Sequence, residues 1–168
     1  MINFAVVNRL DLLKGHLGDR ARATEAVVFE IGRSASRTPH LDSVDCVAWF
    51  GRPIEIKKAA DIAAVNLIRT ARFGGRQNEP LKHLGESQTI HVLSTFRDYA
   101  GSVIITDDGD AYRYSKSKGL SAKCTVDLLR EMVLMGDLTA EEAFALALEM
   151  DSNDRTLVNH PTSARDLT

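Results

Sequence analysis

Two cysteines, four prolines and a single tryptophan are all that the 168 residues contain of these types. Cys46 and Cys124 stand far apart in the chain, in neither a CxxC pair nor a dense disulfide pattern. That argues against a zinc site and fits two buried thiols in a reducing compartment. Aromatic residues are only 6%, while 44% hydrophobic and 26% charged residues mark an ordinary globular composition, which excludes collagen, coiled coil and wholesale disorder. No apolar run approaches the roughly 18 to 20 residues of a membrane span. The N-terminus also lacks the basic, apolar, small-residue order of a signal peptide, so the expected address is the cytoplasm. There is no P-loop, no GxGxxG, no GxSxG and no HExxH. The five histidines are scattered, and His83 and His91 are expected to be core or surface residues rather than ligands.

What remains is a chain of single-domain length, enough to bury about 70% of its unfolded surface around one core. Its net charge of −2 is unevenly spread. Residues 1–80 carry 12 Lys/Arg against 9 Asp/Glu, and residues 81–168 carry 9 against 14. An acidic half is either a solvated surface or a set of carboxylates gathered around a cation, and position along the chain has to decide.

Val6, Leu10 and Leu13 fall at helical spacing, so residues 5–14 are expected to form an opening helix. Thr24 can cap a second helix, in which Ala26, Val27 and Glu30 share a face. Residues 44–56 read as extended segments broken around Gly51-Arg52-Pro53. Ala59 to Ala71 is a strong helix by the spacing of Ile62, Val65 and Ile68, Arg72 to Pro80 a loop, and Gly85 to about Tyr99 another helix. Ser102 to Thr106 (SVIIT) reads as a strand buried on both faces of a parallel sheet, followed by a helix ending near Gly119. Thr125 can cap a helix stopping at Gly136, and Thr139 with Glu142 forms a capping box ahead of an apolar helix, Ala143 to Met150. After Asp151 the chain is polar and is expected to be a loosely attached tail over residues 151–168. Helices alternating with a few short strands predict a three-layer α/β domain around a mainly parallel sheet, over residues 1–150.

The sharpest local feature is Asp107, Asp108 and Asp110, directly after the SVIIT strand. In parallel α/β sheets ligands sit beyond the carboxyl ends of strands, and three acids within four residues repel one another unless a cation or basic partner intervenes. Hard cations such as Mg²⁺ or Mn²⁺ choose oxygen ligands. The alternative is a turn, with Asp110 capping the next helix. Glu86 falls with Ile90 and Leu93 at i, i+4 and i+7, so its carboxylate extends an apolar stripe. Glu30 does the same with Ala23, Ala26 and Val27. Buried unpaired carboxylates are costly, so a shared cation would account for all three segments; Arg33 or Arg113 as salt-bridge partners is the alternative. Tyr112, Arg113, Tyr114, Lys116 and Lys118 mix aromatics and cations as a nucleic-acid surface does, though ordinary helix surface explains them as well.

Leu84-Gly85-Glu86-Ser-Gln-Thr-Ile90, the strand ending Ile-Ile-Thr-Asp-Asp-Gly-Asp-Ala and the following Gly119-Leu120 resemble the PIN-domain family. The likeness is to the branch with an L-G-x-G-E-x-x-A-I helix and a strand ending in D-D-x-x-A-R. Asn8 to Leu13 and Thr24-Glu-Ala-Val-Val-Phe-Glu30 look like that family's first helix and the segment supplying a catalytic acid, so the resemblance spans roughly residues 2–150. It implies a three-layer α/β/α domain and a Mg²⁺- or Mn²⁺-dependent ribonuclease, often the toxin of a toxin–antitoxin pair, acting on RNA and restrained by an antitoxin protein, with a homodimer as the expected assembly. By that carry-over Glu30, Glu86 and Asp108 are the catalytic acids around the metal, with Asp107 and Asp110 as supports. The family opens with a central strand ending in Asp, whereas Met1-Ile2-Asn3-Phe4 already corresponds to its first helix. The resemblance therefore expects either a natural start upstream of residue 1 or a copy that lost this strand. Two other readings compete: a catalytically inactive PIN-like module binding RNA or protein, and an aspartate phosphatase using Asp108 and Asp110 as a D-x-D.

Overall fold

The computed structural model describes residues 1–168. The chain is α/β with helices dominating, and it divides into two compact units: residues 17–104, and residues 1–16 together with 105–168. No helix is long and apolar enough to cross a membrane.

The uninterrupted unit is built on three helices, α3 (Glu25–Ala35), α5 (Ala59–Leu67) and α6 (Leu84–Thr95), with the short α4 (Cys46–Phe50) between the first two. Helix α6 packs against both α3 and α5. Ile56, Val65 and Val92 form a buried cluster there, flanked by Ile54, Leu84, Phe96 and Tyr99. The expected extended segments of residues 44–56 shrink to one bridge. Ile54 pairs with Thr24 in parallel, its N–H donating to the Ala23 carbonyl at 2.9 Å. Asp45 is the reason: its carboxylate accepts the N–H groups of Val47 and Ala48 and so starts helix α4 in a stretch whose apolar residues suggest a strand. Helix α5 runs on through a wide π turn, Ile68–Arg72, which leaves the buried Arg69 facing the loop that follows. Arg69 Nη1 donates to the carbonyls of Arg76 and Glu79, and Gly75 lies against it. His91 of α6 is likewise buried, its Nε2 lying 3.0 Å from Asp61 Oδ1 on α5, a structural role as expected for that histidine.

The discontinuous unit opens with α1 (Ile2–Val6) and α2 (Leu10–Leu17), and closes with α7 (Gly109–Ser117), α8 (Thr125–Met135) and α9 (Ala140–Ser152). The single opening helix expected over residues 5–14 is broken because Asn8 takes a left-handed φ of 52°. Helices α8 and α9 pack on one another and bury Leu129, Met132, Ala147 and Met150. The capping box at Thr139 and Glu142 is present, as the sequence predicts. The last residues are not a loose tail. Leu157, Pro161 and Leu167 are buried, and the turn at Ala164–Leu167 packs on both α8 and α9. Sparse apolar residues among polar ones give no period, yet each fills the core when the chain folds back.

The sheet is small: β1 (Val103–Ile105) lies parallel to β2 (Ser121–Lys123), with α7 as the crossover between them. A strand with one neighbour has little to cover it. Only Ile104 of β1 is buried, while Val103 and Ile105 remain 39% and 40% exposed, unlike the doubly covered strand the SVIIT run suggests. Both thiols are free. Cys124 is buried and its thiol is pushed up to about 11, chiefly by desolvation; Cys46 is only partly buried, against the expectation of two buried thiols.

Candidate functional site

In the uninterrupted unit, α3 and α6 bring two of the expected acids together. Gln88 fixes the register of this helix pair. Its Oε1 accepts the Ala26 N–H at 3.2 Å and its Nε2 donates to Glu25 Oε1 at 3.3 Å, which ties the start of α3 to the first turns of α6. Five residues beyond Glu25, Glu30 reaches the N-terminus of α6, where it accepts the Gly85 N–H. A Cβ on Gly85 would stand 2.9 Å from Glu30 Oε2, so the carboxylate occupies space that only glycine leaves open. Glu30 also borders a cavity of about 330 Å³, whose other walls include Phe29, Leu81 and Leu84.

Desolvation pushes the Glu30 carboxyl up to about 7, and the charge of Glu86 acts in the same direction; the Gly85 N–H and the Arg33 guanidinium oppose both. Glu86 stands in the first turn of α6, where the positive end of the helix favours an anion. Its Oε2 is buried without a hydrogen-bond partner in the protein. A carboxylate oxygen in that position is costly unless something charged or polar meets it. Both acids thus lie on apolar stripes as their spacing predicts, but they face a neighbouring helix rather than a sheet.

A histidine expected from the sequence to be a core or surface residue also stands at this site. His83 precedes α6 with φ 59° and ψ 20°, a left-handed conformation, and stacks on Phe73 with ring centroids 5.6 Å apart. A ring nitrogen of His83 and a carboxylate oxygen of Glu86 lie within 4.8 Å of each other. The signal was the spacing itself: His and Glu at i and i+3 across a helix start share its first turn.

The three aspartates after β1 belong to the discontinuous unit, where each has a different task. Asp107 accepts from the Thr125 N–H at 3.0 Å through Oδ1, and from Thr125 Oγ1 at 2.5 Å and Asn3 Nδ2 at 2.9 Å through Oδ2. Asn3 Oδ1 in turn accepts from Arg155 Nε at 2.9 Å. Asp108 caps α7, its Oδ1 accepting the Ala111 N–H at 2.8 Å, so the cap falls to Asp108 rather than to Asp110. Asp110 is exposed and pairs with Arg113 at 2.8 Å, the salt-bridge alternative for that residue. Further along α7, Lys116 and Lys118 lie over the rings of Tyr112 and Tyr114, one helical turn back, as ordinary helix surface does.

Against family models, curated proteins and solved structures alike, the chain finds no match. The site therefore rests on its own geometry. Glu30 exchanges a proton near neutral pH, Glu86 carries an oxygen with no donor, and His83 adds a nitrogen beside it. A divalent cation would meet the chemistry of this donor set.

Proposed function

We propose that the chain is a Mg²⁺- or Mn²⁺-dependent ribonuclease hydrolysing RNA phosphodiester bonds, with a three-layer PIN-like arrangement and a toxin's place in a toxin–antitoxin pair, acting as a homodimer. One observation carries the reading: the buried, partnerless Oε2 of Glu86 beside a Glu30 whose charge is disfavoured by desolvation. Two carboxylates this close, one of them without a donor, fit a site meant for a cation. Glu30 and Glu86 would hold the ion. Bound there, a divalent cation supplies the polarisation of water and the offset of phosphate charge that hydrolysis of a phosphodiester needs.

The chain's own groups do the rest. Glu86 stands at the positive end of α6, and the Gly85 N–H holds Glu30 beside that helix start. Asp108 is the third acid that the resemblance implies.

The test is cleavage of a mixed RNA substrate by the purified chain, with and without Mn²⁺ or Mg²⁺, in parent, Glu86→Gln and Asp108→Ala forms. Metal-dependent cleavage that is lost in Glu86→Gln supports the reading. Cleavage that ignores added chelator overturns it. RNA binding that survives Glu86→Gln, with no cleavage by the parent, puts a non-catalytic binding module in its place.

A further inference from the structure

Resting on that metal reading, we propose that His83 is a further ligand of the same cation, and that its imidazole makes the site select manganese over magnesium. Carboxylates alone do not separate the two ions, because both are hard and take oxygen readily. Magnesium holds to octahedral oxygen and water, whereas an imidazole nitrogen suits the transition metals better. The His83 nitrogen and the Glu86 oxygen lie within 4.8 Å of each other, close to the span of at most about 4.2 Å that two ligands about 2.1 Å from a single ion can have.

Two further features set the ring there. His83 packs against Phe73 with ring centroids 5.6 Å apart, and it sits immediately before the helix whose first turn carries Glu86. Its backbone adopts φ 59°, a conformation glycine reaches without the steric cost a Cβ brings. That separates the imidazole's role from the backbone's: His83→Gly removes the nitrogen while easing the chain, so lost metal affinity in that variant is not lost folding.

The experiment is calorimetric titration with Mn²⁺ or Mg²⁺ alone, without RNA, on the parent, His83→Gly and Glu86→Gln, each melted without metal as well. The parent is expected to bind Mn²⁺ at least about tenfold more tightly than Mg²⁺, and His83→Gly to lose about tenfold or more in Mn²⁺ affinity while Mg²⁺ affinity stays within about twofold. Its metal-free melting temperature should be unchanged or higher. Addition of Mn²⁺ should also broaden the His83 ring protons in NMR spectra of the parent. Equal Mn²⁺ affinity in parent and His83→Gly overturns the inference, as does an equal loss for both ions. If Glu86→Gln abolishes binding and His83→Gly leaves it intact, the acidic site stands and only the role of His83 falls. If neither ion binds the parent, the metal reading of the whole site falls with it.

Discussion

The Glu30 carboxylate lies against the α-carbon of Gly85, so closely that a methyl group there would stand 2.9 Å from Oε2 and 3.2 Å from Oε1. The second residue of helix α6 has no side chain, at the place where α3 delivers an acid. The clash in Gly85→Ala falls on the far end of a flexible side chain, so Glu30 should swing away rather than the helices separate. Alanine favours the helix by roughly 1 kcal/mol over glycine, so urea unfolding should show unchanged or slightly greater stability. A carboxyl carbon NMR titration should find Glu30 back toward the ordinary range. A Glu30 still titrating near 7 would show that its environment, not its seat on Gly85, sets the value.

Glu30 also makes stability depend on pH. The folded chain keeps this proton to about pH 7, while the unfolded chain releases it around 4.5. Between these values the native state binds more protons, so the group's contribution falls as pH rises from about 4.5 to about 7 and is fully unfavourable above that. Because the side chain is partly solvated, the penalty is about 1 kcal/mol after screening. Glu30→Gln removes it. Metal-free thermal melts should find the variant more stable than the parent at pH 8 and no different at pH 4; a gap of equal size at both would mean the charge is not responsible.

Gly75 meets a less forgiving neighbour. A Cβ there would stand 2.7 Å from Arg69 Nη1 and 3.1 Å from the Arg69 carbonyl, and Arg69 is buried with Nη1 bonded to two backbone carbonyls. Neither the backbone nor a buried guanidinium can yield cheaply, so Gly75→Ala should cost about 2–3 kcal/mol in urea unfolding. A loss under half of that would mean the loop after α5 repacks.

The aspartates after β1 offer a matched pair. Asp107→Ala strands the buried Thr125 and Asn3 and should cost about 2–4 kcal/mol. Asp110→Ala removes a solvent-exposed ion pair and should change the melting temperature little. Equal effects would contradict the division of labour described for these acids.

Periodicity carried the reading wherever one element decided the outcome. The faces of α3 and α6 placed Glu30 and Glu86 on apolar stripes, and the Thr139 to Glu142 box stands at the start of α9, which begins at Ala140 rather than at the expected Ala143. It ran out where the outcome depends on a partner. Three aspartates in four residues look equivalent until Thr125, Ala111 and Arg113 each claim one of them. A polar stretch gives no hint that Leu157 and Leu167 will find a core, and an apolar one conceals that Asp45 will start a helix. His83 lies on no apolar stripe, so its spacing of three from Glu86 is the one sequence signal it carries, and its left-handed backbone places it ahead of the helix rather than within it.

The interleaved connectivity of the two units sets an order of events during synthesis. Residues 17–104 leave the ribosome as one uninterrupted piece and can complete their helix packing while the rest is still being made. Residues 1–16 precede that piece yet must wait, because Asn3 finds Asp107, Thr125 and Arg155 only after more than a hundred further residues have been added. The buried Phe4 and Leu13 gain their core only then, after the unit that follows them in sequence is complete.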